Sequence, residues 1–98
     1  MLIEIEKGIS EGDIVAFKLT NGDEIIAKFI SESDSGYKVN RPCTVVPSQQ
    51  GIGLIQSLFT ADINNVTLQK IHVMFYAKVV DKIESHYIRT VTGIQTTP

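Results

Sequence analysis

The sequence predicts an all-β fold in the main, a small, strongly bent five-stranded antiparallel barrel followed by a C-terminal α-helix. Two observations carry this prediction. Five segments of alternating or continuous apolar residues lie between residues 13 and 80, and polar or glycine-containing turns separate them. One further segment follows, in which apolar residues recur at helical spacing. Short strands in this number are typical of a small barrel.

The first two strands, residues 13–19 and 23–31, are predicted from the Asn-Gly pair in KLTNGDEIIAKF. A two-residue loop would mix charged and apolar side chains on each face. A three-residue loop at 20–22, with Gly22 in the left-handed conformation of a G1 bulge, gathers the apolar groups on one face. The second register is therefore predicted. It pairs Phe17 with Ile25, Val15 with Ala27 and Lys18 with Glu24.

The remaining strands are predicted from apolar patterns alone. The third covers residues 37–46, and the Arg41-Pro42 pair inside it indicates an edge or a bulge. The fourth (52–59) and fifth (71–80) are apolar on both faces, which favours cover from another subunit. Residues 1–12 fit either a short strand or one helical turn. One face of the third strand is predicted to carry Tyr37, Val39, Cys43 and Val45.

The tail DKIESHYIRTVTGI predicts the helix. Asp81 and Glu84 fit an N-cap with a capping box, and Gly93 fits a C-terminal cap. We therefore expect a single domain over residues 1–98, with the barrel at about 13–80 and the helix at about 81–92. One apolar stripe on the helix is formed by Ile83, Tyr87, Val91 and Ile94.

Composition excludes several function classes. The net charge of −2 is unlike that of a dedicated duplex-DNA binder. A single cysteine, no signal peptide and no transmembrane segment favour a cytoplasmic protein. Cys43 is predicted to be a core thiol and His86 to be solvated on the helix, so no catalytic set is expected. No metal-binding or phosphate-binding motif occurs, and we expect no enzyme activity and no cofactor.

The stretch DIVAFKLTNGDEIIAKF resembles the first motif of the Sm-like (Sm/LSm) family, with alternating apolar positions around Leu-x-x-Gly. The resemblance covers about residues 13–80 and implies a bent five-stranded sheet whose subunits close into rings. The places of the family's Asp and Asn hold Ser33 and Tyr37, and its Arg-Gly pair is absent from LQKIHVMFY. The helix after the barrel and the tail HYIRTVTGI resemble small Sm-like proteins of tailed phages and marine metagenomes, which would place the chain in the host cytoplasm.

The resemblance implies single-stranded RNA, or DNA, as a partner at the pore. Tyr37 would stack on a base, while Lys70 and His72 are similar to the Lys-His pair of the family's bacterial RNA chaperone, with Ile71 inserted between them. Structural roles stay open for each residue: a core position for Tyr37, a solvated turn for Lys70 and an interface for His72. Gly22 is structural in either case.

Self-association is the other implication of the family resemblance. In such rings the fourth strand of one subunit pairs with the fifth of the next, which gives about five to seven copies. The leading hypothesis is thus a non-catalytic ring that binds RNA and acts in its processing or chaperoning. The alternative is a structural or protein-adaptor ring without nucleic-acid binding, which the net charge of −2 favours. Neither hypothesis includes a membrane.

Overall fold

The computed structural model describes residues 8–95, and it is mainly antiparallel β-sheet with one C-terminal helix. The predicted fold class is confirmed. The elements are β1 (Ile14–Leu19), β2 (Glu24–Glu32), β3 (Gly36–Ser48), β4 (Gly51–Gln56), β5 (Val66–Gln69), β6 (Val73–Lys78) and α1 (Asp81–Gln95). A 3₁₀ turn at Lys70–His72 precedes β6. The sheet order is β4-β3-β2-β1-β6, with β5 also beside β3.

The hairpin of β1 and β2 has the predicted register. Phe17 lies opposite Ile25, and Lys18 lies opposite Glu24. Gly22 has φ of 98°, a conformation that a residue with a Cβ rarely adopts, and its N–H donates to the carbonyl of Leu19 at 3.0 Å. Turn geometry therefore sets the register that places one apolar face inside the barrel.

The predicted interruption of the third strand is confirmed as a bulge. Ile26 pairs with Cys43 and Lys28 pairs with Asn40, so one residue of β2 faces two residues of β3. The prediction that Tyr37, Val39, Cys43 and Val45 share one face is wrong, because the extra residue reverses the alternation. Tyr37 and Val39 pack inside the barrel, whereas Cys43 and Val45 pack on the outer face.

The strand count is six rather than five because two short strands share the edge of β3. β4 pairs with β3 from Cys43 to Ser48, after the bulge, and β5 pairs with it from Gly36 to Val39, before the bulge. Pro42 has no N–H to donate at the break. The predicted fourth strand ends earlier, at Gln56, because the bulge ends its pairing with β3. The predicted fifth strand is shorter, Val73–Lys78, because a 3₁₀ turn occupies Lys70–His72.

Strong bending of the sheet encloses an inner core. Tyr37 of β3 and Tyr76 of β6 are separated by two strands in the sheet order, yet their ring centroids lie 5.1 Å apart. Phe17 of β1 contacts both rings, at 5.5 and 5.9 Å. The buried residues of this inner core are Val15, Phe17, Ile25, Ala27, Phe29, Tyr37 and Val39.

Helix α1 covers the outer face of the same sheet. Tyr87 is 1 % exposed and packs with Ile14, Ile26 and Cys43. Its hydroxyl lies 2.9 Å from the carbonyl oxygen of Arg41 and 3.1 Å from that of Asn40. Ile83 and Val91 pack against this cluster, as the apolar stripe predicts, while the side chain of Ile94 lies outside the described part of the chain.

The helix ends differ from the predicted caps. The helix begins at Asp81, and the carbonyl of Val80 accepts hydrogen bonds from the N–H groups of Ile83 and Glu84. Asp81 therefore lies inside the first turn, where the positive end of the helix dipole favours an acidic residue. Gly93 is also inside the helix, which continues to Gln95.

The N-terminal segment is described only from Gly8. Residues 8–12 form neither strand nor helix, and Gly12 donates its N–H to the carbonyl of Phe29 at 2.8 Å. The rest of the predicted segment, residues 1–7, lies outside the described residues. Between Gly8 and Gln95, no helix combines the length and apolar character that crossing a bilayer requires.

Gly36→Ala is expected to destabilise the fold by about 1–3 kcal/mol, because there is no space for the added methyl group. An ideal Cβ at Gly36 would lie 2.7 Å from Thr67 Cγ2 and 2.8 Å from the Leu68 carbonyl oxygen. Urea denaturation measures the change. Gly53→Ala is the control, since its Cβ would meet Val46 Cγ2 at 3.4 Å. Equal unfolding midpoints for the two variants would contradict the close approach of β5 to β3.

Candidate nucleic-acid interface and assembly edges

Lys70 and Tyr37 lie together where the 3₁₀ turn meets the start of β3. The Lys70 N–H donates to the carbonyl of Ser35 at 2.9 Å, which holds this turn against the loop between β2 and β3. The Lys70 ammonium is 2.7 Å from Glu32 Oε2 and 5.4 Å from the centre of the Tyr37 ring. The hydrogen bond to Glu32 raises the pKa of Lys70. The cation therefore has two partners within its own subunit.

Tyr37 is a core residue of the barrel. Its side chain is only 8 % exposed and contacts Phe17 and Tyr76. Burial raises the pKa of Tyr37, and the neighbouring Tyr76 adds to the shift. The sequence left a core role and a stacking role open, and the structure places the residue in the core. Contact between Tyr37 and a base stays a prediction.

His72 faces a different surface, an open cleft of about 630 Å³ beside the β1–β2 turn. Its Nδ1 lies 3.4 Å from Thr20 Oγ1, and its carbonyl accepts a hydrogen bond from the Thr20 N–H at 2.8 Å. Apolar walls from Leu19 and Leu68 and polar groups from Asn21 and Gln69 complete the cleft. Apolar walls with a few polar groups are typical of ligand-binding clefts in general.

Two features of this region are missing from the sequence prediction. Glu32 neutralises Lys70 across 38 positions of sequence, and no local pattern indicates that pair. Gln69 reaches the cleft on β5, a four-residue strand that is too short to show a clear alternation. The Asn21-Gly22 signal did locate the turn that forms the other wall of the cleft.

Both edges of the sheet carry exposed apolar side chains. Among residues 8–95, β6 pairs only with β1, and β4 pairs only with β3. On β6, Met74 and Phe75 are 59 % and 63 % exposed, and on β4 Ile55 is 52 % exposed. Phe59, just beyond β4, is 75 % exposed. Unpaired strand edges with apolar side chains are surfaces that favour pairing with another chain.

The outer-face core contains Cys43, the residue predicted to be a core thiol, and that prediction is confirmed. Cys43 is 1 % exposed, and burial raises the pKa of its thiol, which disfavours the reactive thiolate. His86 lies half-buried on α1. No group of three or more His, Cys, Asp or Glu side chains in the described part of the chain is arranged to hold a metal ion.

Comparison of the sequence with protein-family models gives no match, and comparison with curated proteins gives none either.

Proposed function

We propose that this chain is an Sm-like subunit that associates edge to edge into a homo-oligomeric ring and binds single-stranded RNA without catalysis. The observation that carries the proposal is the pair of unpaired, apolar sheet edges on β4 and β6. The bent sheet, with its glycine hairpin and the 3₁₀ turn between β5 and β6, supports the family resemblance.

A head-to-tail contact explains why both edges are apolar. When β6 of one subunit pairs with β4 of the next, each subunit uses two different surfaces, and repetition of one rotation closes a ring. This pairing covers Phe75 and Ile55, which are more than half exposed in the single subunit. It also gives partners to backbone groups that an edge strand leaves free.

Ring closure also strengthens a weak RNA site. Each subunit contributes one Lys70 and one His72 from the same 3₁₀ turn, and the ring repeats them around its axis. A local ring of cations attracts phosphate even though the chain carries a net charge of −2. An RNA phosphate must compete with the Glu32 carboxylate for the Lys70 ammonium. Glu32 is therefore expected to limit the affinity of the ring for RNA.

Lys70→Glu is expected to weaken oligouridine binding by at least about tenfold while the ring stays assembled, because it reverses a phosphate-binding charge in every subunit. Glu32→Gln is expected to strengthen binding, because it releases Lys70 from its carboxylate partner. Fluorescence anisotropy at several salt concentrations measures both changes. Lys82→Glu, an exposed lysine on α1, is the control with the same change of charge.

The alternative is a structural or protein-adaptor ring that does not bind RNA. The Lys70–Glu32 pair and the burial of Tyr37 favour this alternative, because both remove groups that RNA would contact. Two results would contradict RNA binding at this turn and favour the structural ring. One is an affinity for oligouridine that does not change with salt concentration. The other is an affinity that stays the same in Lys70→Glu and Glu32→Gln.

A further inference from the structure

A second cleft, separate from the 3₁₀ turn, lies between α1 and the outer face of the sheet. Its volume is about 400 Å³. The sheet contributes Lys28 of β2 and Arg41 of β3, and the helix contributes Glu84, Ile88 and Val91. This volume is within the range of small-molecule sites. The sheet side of the lining carries the two cations, and the helix side carries two apolar side chains and one carboxylate.

Within residues 8–95, the two cations of the cleft have no side-chain partner. Neither the Lys28 ammonium nor the Arg41 guanidinium makes a hydrogen bond or ion pair with another residue between Gly8 and Gln95. Glu84 is the acidic residue that lines the cleft, and it too has no ion pair within that range. Counted over the part of the chain that the structure describes, the lining carries one more positive than negative charge, and no carboxylate there pairs with either cation.

The backbone at Arg41 is strained and held from two sides. Arg41 has φ of 52°, a left-handed conformation that glycine and asparagine adopt far more readily than arginine. Its N–H donates to the carbonyl of Ile63, and its own carbonyl accepts from the Tyr87 hydroxyl. The fold thus keeps an arginine at a bulge where a glycine would relieve the strain, and it fixes the backbone that carries the guanidinium.

We propose that this cleft binds the phosphate group of a nucleotide-sized ligand. The Arg41 guanidinium offers paired N–H donors that match phosphate oxygens, and the Lys28 ammonium adds a second charge. The apolar part of the ligand lies on Ile88 and Val91 of α1. The same chemistry fits a free nucleotide or one nucleotide of an RNA strand. The site lies within one subunit and does not depend on the ring or on Lys70.

Titration of the full chain with uridine monophosphate, followed by NMR, tests the proposal. The wild type is expected to bind uridine monophosphate and not uridine, with shifts at residues of the cleft. Arg41→Gly and Lys28→Gln are each expected to weaken binding about tenfold or more, because each removes a charged donor. Arg41→Gly suits the left-handed backbone, so the fold is expected to survive. Lys82→Gln is the control for a lost surface charge.

Three results would overturn the proposal: equal binding of uridine, equal weakening by Lys82→Gln, or unchanged binding in Arg41→Gly. If Lys70→Glu leaves the binding of uridine monophosphate unchanged, the site is separate from the 3₁₀ turn. This conclusion holds whether or not the same variant weakens the binding of oligouridine. Competition by an oligouridine without terminal phosphate would identify an RNA strand as the source of the phosphate. Lack of competition would identify a free nucleotide.

Discussion

Tyr87→Ala is expected to lower the free energy of unfolding by about 3–5 kcal/mol, a large share of the stability of a domain of this size. Tyr87 is the largest fully buried side chain and joins α1 to both β1 and β2 through Ile14 and Ile26. Truncation leaves a cavity between the helix and the sheet. Burial also raises the pKa of Tyr87 well above its usual range, so the hydroxyl stays protonated and can donate.

Tyr87→Phe separates the packing of the ring from the hydrogen bond of its hydroxyl. It is expected to cost about 1–2 kcal/mol, because it leaves the carbonyls of Asn40 and Arg41 without this donor at the bulge. Urea denaturation of both variants, with Ile88→Ala as the exposed control on the same helix, measures the difference. A loss below about 1 kcal/mol for Tyr87→Ala would contradict docking of α1 on the sheet.

Phe75→Glu and Ile55→Glu are each expected to convert the assembled protein to monomers. Each variant places an unpaired charge at one edge of the sheet, on β6 or on β4, where the proposed ring would bury it. An unpaired buried charge costs about 3–5 kcal/mol at every interface. Light scattering coupled to size exclusion measures the mass. Ile88→Glu, an apolar residue of α1 that is 46 % exposed, is the control away from both edges.

A mixture of the two edge variants distinguishes a head-to-tail contact from a symmetric one. The Phe75→Glu variant keeps an intact β4 edge, and the Ile55→Glu variant keeps an intact β6 edge. A head-to-tail interface therefore predicts that the two variants form a 1:1 heterodimer. This heterodimer cannot add further subunits to close a ring, because both of its outer edges carry a glutamate. If only one variant dissociates, the contact is symmetric and the proposed ring is wrong.

Local signals account for the parts of the fold that the sequence predicts well. The register of the hairpin follows from Gly22 and from the match of apolar positions across a three-residue loop. The stripe of α1 follows from the spacing of Ile83, Tyr87 and Val91. Both features depend on residues that are close in sequence, and helix or hairpin geometry relates them directly.

Features that depend on distant residues are predicted less well. Arg41-Pro42 indicates a break in the third strand, but the sequence does not show that the break is a bulge that sends Cys43 to the outer face. The ends of β4 and β5 are set by that bulge on β3. At the candidate site, the approach of Lys70 to Tyr37 follows from the pairing of β5 with the start of β3. The Glu32 carboxylate that pairs with Lys70 comes from another strand, β2.

Native mass spectrometry of the purified protein, with and without a short oligouridine, tests the central proposal most directly. An RNA-binding ring is expected to appear as one closed assembly of about five to seven subunits that gains the mass of one oligonucleotide. An assembly whose mass does not increase with oligouridine would support the structural alternative. A monomer at micromolar concentration would contradict the ring and, with it, the function proposed for the edges of β4 and β6.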